Sequence, residues 1–452
     1  INLSIDWELN DSWTLRSITA NREDYTESVI DFDSLEVDDF DAPVIYDNEQ
    51  TSQEFQVLFS GERMNAVAGF YYLDASAAND FDVVLGQLGR VVPTIGVELT
   101  AYTGGTVDTK AWSMFADVTY DLTDDLSVSV GGRYTEDERS ANIFRAQYLG
   151  AGGSPFFGND DAIQILVQSD YEAERTYDDF SPRVNFAYRL NDDASVYAGY
   201  SQGFKAGSFD PRGANFATPE AERGFEPETL DSFEVGYKAT LLDGRARTNI
   251  ALFYSDYKDV QIPGSVGVDT DDDGINDGFV GAVTNAGAAE IKGIEFEGDL
   301  LISDNLSAQL SFSLLDAEYT EFIVGGVDIS DLREIQNTPE SMAYLGLTHT
   351  AEVAGGSLVS NLNWAYKDDI SQFELPTPAL DQEAHDIVNA SVVWINEDNT
   401  LRFGVHGKNL TDEDVKTSGY CFGSGGCPST LGLEDNTTVF YAAPQTFTAT
   451  LE

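Results

Sequence analysis

The 452-residue chain carries 79 acidic and only 24 basic side chains, which gives a formal net charge of −55. This balance argues against nucleic acid as a partner, because proteins meet its phosphates with Lys and Arg. Aromatic residues make up 12% of the chain, which argues against a disordered acidic polymer. The length suits several ordinary domains or one large barrel-like unit.

The chain begins in a segment of alternating apolar and polar residues, INLSIDWEL (1–9), and LSVSVGGRY (126–134) repeats the pattern. Such alternation places apolar side chains on one face of a sheet and polar ones on the other. No run approaches the roughly 18 apolar residues of a membrane-spanning helix. No signal peptide precedes the first strand, so we expect a mature N-terminus or a missing beginning.

Short polar turns recur along the chain and alternate with long linkers. The turns lie at 9–13, 60–65, 122–126, 190–195, 241–246, 302–307, 353–357 and 395–400. The linkers lie at 23–50, 76–108, 139–173, 207–226, 261–284, 321–337, 368–382 and 413–436. One end of the predicted sheet therefore has short turns and the other has long loops. This asymmetry is typical of an outer-membrane barrel with short periplasmic turns and long extracellular loops.

The strand count predicts a barrel that is only partly present. Eight hairpins and a final strand at 437–452 give seventeen strands. Bacterial single-chain barrels have an even number. The first strand enters a short turn and so runs from outside to inside, which requires an odd number of strands before it. We therefore predict an all-β fold, a transmembrane antiparallel β-barrel truncated at its N-terminus.

Several stretches resemble the barrel of TonB-dependent outer-membrane receptors, and the iron-siderophore receptors in particular. The resemblance runs from WTLRSITANRED (13–24) to the end of the chain. Its other motifs are GGRYTEDER (131–139), VYAGYSQGFKAGSF (196–209), PETLDSFEVGYKATLLDGRARTNIALFYSDYKDVQI (227–262), NAGAAEIKGIEFEG (285–298) and GKNLTDEDV (407–415). Each motif alone is weak, but together and in this order they are specific.

The resemblance implies a barrel of 22 strands around an N-terminal plug, in the outer membrane of a Gram-negative bacterium. If the last strand here is the family's twenty-second, the first is its sixth, and the odd number required above is five. Residues 1–452 then form an outer-membrane barrel domain, while the plug and the TonB-contacting segment lie outside this sequence. In this family the plug supplies half of the ligand site and the coupling to TonB.

Four charged residues are expected to face the lumen of such a barrel. Glu234, Lys238, Glu295 and Glu297 lie within predicted strands. A Lys or Arg facing lipid costs about 2–4 kcal/mol at mid-depth, and a carboxylate costs less. The inner face meets water or a plug and accepts charge.

The segment DTDDDGINDG (269–278) resembles the short DxDxDGxxD calcium repeats of extracellular proteins. Calcium prefers several oxygen ligands in a flexible cage. The candidate ligands are the carboxylates of Asp269, Asp271, Asp273 and Asp277 and the carbonyl of Ile275. Val280 stands where an EF-hand has its bidentate glutamate, so the full EF-hand is not met. We expect either a bound Ca²⁺ that stiffens the loop or a merely solvated acidic loop.

The two cysteines lie in one short stretch, CFGSGGC. Cys421 and Cys427 are close enough in sequence to form a disulfide, which fits an oxidising compartment. Two free thiols are the alternative.

No pattern of an enzyme is present. His349, His385 and His406 are isolated and lack a neighbouring nucleophile or metal-ligand spacing, so structural roles are expected. The residues that bind the cargo are not identifiable from the sequence, although several loop aromatics are able to stack on a ligand or to cap the barrel mouth. These are Phe156, Phe157, Tyr171, Phe209, Phe216 and Phe373.

The expected function is TonB-dependent import of a scarce, large solute across the outer membrane. The partners that the resemblance implies are the TonB complex, outer-membrane lipid and a ferric siderophore, with a cobalamin-like or carbohydrate ligand still open. A passive porin-type channel and a calcium-dependent surface-assembly or adhesion protein are alternatives from other classes. A soluble calcium-binding β-protein is the most distant one.

Overall fold

The computed structural model describes residues 1–32, 36, 40–86, 98–150, 152–213, 219–268, 278–285, 287–324, 326–422 and 436–452. The first ten strands are β1 (Asn2–Asn10), β2 (Trp13–Asp31), β3 (Phe40–Ser60), β4 (Met64–Leu85), β5 (Leu99–Asp121), β6 (Leu126–Leu149), β7 (Ile163–Asn191), β8 (Ala194–Lys205), β9 (Glu228–Leu241) and β10 (Ala246–Lys258). Twelve follow: β11 (Gln261–Val268), β12 (Gly278–Asn285), β13 (Gly287–Ser303), β14 (Leu306–Val324), β15 (Val327–Asp328), β16 (Ser341–Glu352), β17 (Gly356–Lys367), β18 (His385–Asn396), β19 (Arg402–Lys408), β20 (Lys416–Phe422), β21 (Asn436–Tyr441) and β22 (Thr446–Leu451).

Seventeen of these strands form one continuous antiparallel sheet, in which each strand pairs with the next along the chain. The sheet runs from β1 through β10, then through β13, β14, β16, β17, β18 and β19 to β22, and the two-residue β15 adds to β14. The prediction of an antiparallel sheet with seventeen strands is confirmed. β1 and β22 are its edges, since within the described residues no ladder joins them. None of the described helical segments is long and apolar enough to cross a membrane.

All eight predicted short turns are present at one end of the sheet. At the first turn, the side-chain oxygen of Asn10 accepts hydrogen bonds from the backbone N–H groups of Ser12 and Trp13, at 3.0 and 3.1 Å. At the fifth, Asp243 has a φ of 55° and Gly244 a φ of 86°. Asn, Asp and Gly supply these local bonds and left-handed conformations, so the sequence signal for the turns is strong.

One face of the sheet carries an exposed apolar band. Val130 on β6 lies between Val118 on β5 and Val184 on β7, and its side chain is 54% exposed. The same face of the neighbouring strands carries Phe55, Tyr72, Met114, Tyr120, Phe180, Phe186, Tyr188, Phe233, Val235, Leu252, Leu310, Phe312, Leu314, Leu362, Val392, Phe403 and Val405, all exposed. A band of this kind with aromatic margins is the lipid-facing surface of a transmembrane barrel.

The strands β2 to β7 are much longer than a membrane requires. β7 has 29 residues, whereas about 9–11 residues span the bilayer as a tilted strand. The predicted linkers 23–50, 76–108 and 139–173 are therefore largely wrong as loops, because most of their residues extend the strands. Beyond the apolar band neither face is consistently apolar, so the alternation that marks a strand disappears from the sequence. The backbone ladder continues without it.

Two short hairpins lie at the long-loop end, formed by β11 with β12 and by β20 with β21. We call the parts of β2 to β7 that extend beyond the apolar band the arms. The second hairpin meets the tip of the arm formed by β2 and β3. The rings of Phe32 and Tyr420 are 4.9 Å apart and edge-on, and Phe32 also lies 5.2 Å from Phe40. An early and a late hairpin of the chain are thereby brought into contact above the sheet.

Candidate ligand-binding vestibule

The face opposite the apolar band is polar. Glu234 and Lys238 alternate with Phe233 and Val235 along β9, and Glu295 and Glu297 alternate with apolar residues along β13. All four charged residues therefore lie on the inner face, as predicted. This face is the lumen wall of the barrel.

An aromatic ring organises the charges on this wall. The Tyr197 hydroxyl donates a hydrogen bond of 2.5 Å to Glu234, and the Lys238 ammonium lies 5.3 Å from the centre of the Tyr197 ring. The ring covers Gly236, where a Cβ would lie 2.4 Å from it. Only glycine leaves room for the ring, so the pair fixes Tyr197 flat against the wall.

A chain segment folds over the inner face at the long-loop end. We call residues 206–226, apart from 214–218, the strap. Ile143 of β6 and Tyr171 of β7 are 1% and 7% exposed and pack with Phe209 of the strap, which is 4% exposed. This cluster lies on the wall above the level of the apolar band, so the strap narrows the mouth of the lumen.

Side chains of β7 tie the strap down through its backbone carbonyls. Ser169 donates to the carbonyl of Gly213 at 2.7 Å, Tyr171 to Ala221 at 3.3 Å and Tyr177 to Phe225 at 3.2 Å. Burial raises the pKa of Tyr171 to about 12, so its hydroxyl remains a donor throughout the physiological range.

The two ends of the strap are also fixed. Arg175 holds both carboxylate oxygens of Glu226 at 2.9 Å and donates to the carbonyl of Arg223 at 2.7 Å. At Gly207 a Cβ would lie 2.1 Å from the carbonyl oxygen of Phe225, so no other residue fits there. The strap is therefore a built part of the vestibule.

A second loop, 152–162, covers the outward face of the same arm. Phe156 stacks on Tyr102 with ring centres 3.9 Å apart. The backbone N–H of Ser154 donates to one oxygen of the fully buried Asp82 at 2.6 Å, while the other oxygen, Oδ1, has no partner. The pKa of the Asp82 carboxyl is raised, chiefly because the group is buried.

The six loop aromatics proposed from the sequence have different fates. Tyr171 of β7 and Phe209 of the strap are buried against each other and hold the strap in place, so they do not offer a face to a ligand. Phe156 is 49% exposed but stacks on Tyr102 at the outer side, and Phe157 lies in the same short 3-10 turn. Phe373 is 36% exposed, and Phe216 lies outside the described residues.

The sequence reasoning did not identify the arginines of the inner wall. Arg133, Arg139 and Arg145 recur at every sixth position of β6 and so share one face. Arg175 lies directly opposite Arg139 on β7. The even spacing within GGRYTEDERSANIFR was the available signal, but it is visible only once the strand is known to continue past residue 139.

The predicted calcium ligands Asp269, Asp271, Asp273, Ile275 and Asp277 lie outside the described residues. The residues on either side of them are described: Val268 of β11 lies opposite Gly278 of β12. Among the residues that are described, no group of three or more His, Cys, Asp and Glu side chains is arranged to hold a metal.

The predicted disulfide and the histidines are placed as follows. Cys421 lies in β20 opposite Thr437, but its side chain and the whole of Cys427 are outside the described part of the chain. His406 lies 3.2 Å from the Thr450 hydroxyl and His385 lies 3.2 Å from the carbonyl of Glu383. His349 lies on β16 opposite Ser360 of β17, so the three histidines are on different strands.

Comparison with known proteins shows the family to which the chain belongs. Residues 1–410 match the family described as TonB dependent receptor-like, beta-barrel. The pesticin receptor of Yersinia enterocolitica is 25% identical over 333 residues, which are 72% of this chain and 42% of the receptor.

Solved structures show the same fold. The ferric yersiniabactin uptake receptor of Yersinia pestis matches with a TM-score of 0.74 at 18% identity, over 99% of this chain and 59% of that receptor. A copper transporter matches with a TM-score of 0.68 at 13% identity, over 99% of this chain and 63% of that protein. At such identities these two structures bear on the fold alone.

The chain spans about 40–60% of the length of these proteins, between the 42% of the pesticin receptor and the 63% of the copper transporter. The family match covers most of the chain. The apolar outer band, the polar inner wall and the short turns are what such a barrel requires. The chain belongs to the TonB-dependent receptor-like β-barrel family, whose members are outer-membrane proteins of Gram-negative bacteria.

Proposed function

We propose that this chain is the barrel of a receptor that captures a scarce, large solute at the cell surface and imports it with energy from TonB. The observation that carries the proposal is the family match over residues 1–410. This family comprises receptors and transporters rather than enzymes. A ferric siderophore is the leading cargo, because the similar proteins include a ferric yersiniabactin uptake receptor.

The vestibule supports capture. The strap and the long arms of β2 to β7 build a walled mouth above the membrane. The inner wall offers ordered charges and hydroxyls such as Tyr197, Glu234 and Lys238. A large polar solute is held best by such a surface, since the few polar groups that orient a ligand must be fixed in place.

The size of the barrel supports a plug. Barrels of 16–18 strands already leave an aqueous channel, and 22-stranded transporters carry a plugged lumen. A sheet of seventeen strands is therefore wide enough to leak unless another segment fills it. In the proposed mechanism the cargo is bound between the vestibule and a plug, and TonB then acts on the plug to open a path. The apolar band faces outer-membrane lipid throughout.

Iron uptake in the native host tests this function. Cells grown without iron and carrying or lacking the gene are given radioactive iron with the chelators of their own culture medium. We expect uptake to require the gene and to stop when TonB is deleted or the inner membrane is depolarised. Uptake that persists without TonB identifies a passive channel. Unchanged uptake together with lost calcium-dependent cell association identifies an adhesion protein.

A plug ahead of residue 1 is a second part of the proposal. The intact mass of the mature protein, measured from outer membranes, gives the length of whatever precedes the barrel. About a hundred or more residues beyond five further strands are expected. A mass that leaves room for strands but no plug contradicts an energised receptor.

A further inference from the structure

The upper part of β7 is a free edge of the sheet. Its ladder with β8 stops at Arg183, whereas its ladder with β6 continues to Ile163. The next residue towards the tip is Pro182, which has no N–H group to continue the ladder to β8. β8 itself ends at Lys205, where the chain turns over the inner face as the strap. Within the described part of the chain, residues 170–181 pair with a strand on one side only, and we call them the open edge.

The ladder with β6 identifies the backbone groups that point out of the open edge. The N–H of Arg189 donates to the carbonyl of Asp125 at 2.8 Å, so Arg189 faces β6. No register shift separates Arg189 from Asp170 on this ladder, and successive residues of a strand face alternate sides. The even-numbered residues therefore direct an N–H and a C=O away from β6. They are Asp170, Glu172, Glu174, Thr176, Asp178 and Phe180.

The strap does not take the place of a neighbouring strand. It is held to β7 by side chains such as Tyr171 and Tyr177, which donate to strap carbonyls. Among the residues that the structure describes, no backbone hydrogen bond joins the strap to the six edge-facing positions. The side chains of all six are exposed, so this edge is open to the medium. A row of unpaired backbone donors and acceptors is a template for another strand.

The outward surface beside the open edge is acidic. It carries Asp170, Glu172, Glu174 and Asp178 of β7, and Glu138 of β6 lies opposite Thr176. Neither β6 nor β7 contains a lysine, and every arginine of the two strands has an odd number. The odd-numbered residues lie on the inner face. These two strands therefore place no cation next to the outward carboxylates.

This charge determines which kind of strand suits the open edge. A second copy of the receptor would bring an identical row of carboxylates, and like charges directly opposite each other destabilise a strand pair. A strand that carries Lys or Arg at alternate positions instead forms an opposite-charge pair at each carboxylate. Charge complementarity thus favours a basic partner and disfavours pairing between two receptors.

An apolar patch continues the open edge towards the tip of the arm. Ile163, Ile165, Leu166 and Val167 are between 39% and 66% exposed, although they lie far above the apolar band. An exposed apolar patch rimmed by polar residues is typical of a surface that binds another protein. A partner segment with one apolar end covers this patch as well.

We propose that the open edge binds an extended, basic segment of another protein outside the cell, which adds to the sheet as an antiparallel strand. Main-chain hydrogen bonds to the six edge-facing residues hold the segment, and its Lys and Arg side chains meet the outward carboxylates. β7 runs from the tip of the arm towards a short turn, so the added strand runs outwards. Its C-terminal end is then the apolar one. This docking surface lies on the vestibule wall outside the lumen and goes beyond the import of a solute.

The alternative is that the carboxylates attract any basic peptide without strand pairing. Both possibilities predict binding that weakens with salt, so charge alone does not distinguish them. Methylation of peptide nitrogens does, because it removes a backbone donor. In the added strand, a residue opposite Glu172 or Glu174 bonds to β7 through its own backbone and points its side chain outwards. The amides of the basic residues are therefore the ones that face β7.

The experiment uses the whole mature receptor, purified in detergent, and labelled synthetic peptides of the same length as the open edge. The basic probe alternates Lys with Thr and ends in valine and isoleucine, and the acidic probe has Glu in place of each Lys. Fluorescence anisotropy measures their binding. We expect the basic probe to bind about tenfold or more tightly than the acidic one. Methylation of its Lys amides is expected to abolish binding, whereas methylation of its Thr amides leaves binding unchanged.

A substitution in the receptor gives a second test. Thr176→Pro removes an N–H that faces the open edge but no hydrogen bond to β6, and proline is tolerated on an edge strand. We expect it to weaken binding of the basic probe about tenfold or more, since several bonds around it are also lost. Thr176→Ala keeps the N–H and is the matched control. Slow hydrogen exchange of the β6–β7 ladder shows that the fold is retained, and if Thr176→Pro loses it, the methylated probes on the unaltered receptor decide.

The outcomes are distinct from those of the import experiment. Equal binding of the basic and acidic probes, or no binding of the basic probe, overturns the docking surface. Equal effects of the two methylation patterns identify charge attraction alone and also overturn it. Receptor dimers that Thr176→Pro dissociates identify a second copy as the occupant instead. Iron uptake that persists in Thr176→Pro leaves the import function standing, and selective peptide binding without uptake leaves the docking surface standing.

Discussion

Asp82 is a carboxyl group with no route to solvent, at the base of loop 152–162. Its buried position raises its pKa, and one of its oxygens lacks a partner. A raised pKa in the folded state means that the protonated form is favoured there, so the contribution to stability is present at low pH. It is lost as the pH rises through the raised value.

We therefore expect loop 152–162 to be held more tightly near pH 4, close to the ordinary Asp pKa of 3.8, than near pH 7, and Asp82→Asn to remove the difference. An asparagine keeps an oxygen for the Ser154 N–H group but carries no charge to desolvate. Hydrogen exchange of the loop at the two pH values measures the effect. Asp160→Asn, in the exposed part of the same loop, is the control. A pH dependence that survives in Asp82→Asn refutes the assignment.

Two substitutions of Tyr171 distinguish how much packing and how much hydrogen bonding hold the strap in place. Tyr171→Phe keeps the ring against Ile143 and Phe209 but loses the bond to the Ala221 carbonyl, a loss of about 1 kcal/mol. Tyr171→Ala also opens a cavity and is expected to cost about 3–5 kcal/mol of local stability. Hydrogen exchange in residues 219–226 is the measurement. If both variants loosen the strap equally, the apolar cluster is not what holds it.

At the level of elements, the sequence predicted the turns better than the arms. A turn needs Asn, Asp or Gly within a few residues, so its signal is local, as at Asn10 and Gly244. The strand extensions were taken for loops because neither face there is buried in lipid, and alternation is lost. The face of Glu234 and Lys238 was predictable for the opposite reason, since their strand crosses the apolar band.

The vestibule was the least predictable part. Its strap meets β6 and β7 across 44 to 67 residues of sequence, and no local pattern encodes such a contact. Phe209 and Tyr171 look alike in the sequence as candidate ligand stackers, but packing places both in the anchoring cluster. The sequence around Arg145 does not distinguish it from other arginines near the end of a strand. Only its neighbours distinguish it from Arg139, which has a carboxylate partner.

The β11–β12 hairpin gives the calcium proposal a testable form. Val268 and Gly278, which flank the acidic segment in the sequence, are paired with each other. Calcium in extracellular modules binds with dissociation constants of about 10⁻⁴–10⁻³ M. We expect calorimetry to find one such site, and Asp271→Asn with Asp273→Asn to weaken it tenfold or more. Asp304→Asn, in the short turn between β13 and β14, is the control. Equal calcium binding in all variants identifies a solvated loop.

At the scale of the whole molecule, a single sheet separates three environments: membrane lipid, the lumen and the medium above the membrane. The apolar band of the outer face ends where the acidic outward residues of the arms begin, as at Tyr134 and Glu136 on β6. The inner face remains polar from the short turns to the strap. Net charge of −55 is therefore compatible with a membrane protein, because the charge lies above the band, on the lumen wall or in the short turns.

This separation predicts opposite outcomes for two adjacent residues. Val130 lies in the middle of the apolar band, between Val118 and Val184, whereas Ser129 faces the lumen and contacts the Thr119 hydroxyl at 2.7 Å. Val130→Arg places a cation in lipid and is expected to lower the free energy of unfolding by about 2–4 kcal/mol. Ser129→Arg keeps its charge in water and loses only a hydrogen bond, about 1 kcal/mol. Denaturant unfolding from lipid vesicles compares them. Equal destabilisation by the two arginines contradicts the assignment of the two faces to lipid and lumen, and with it the placement of the strap inside the barrel.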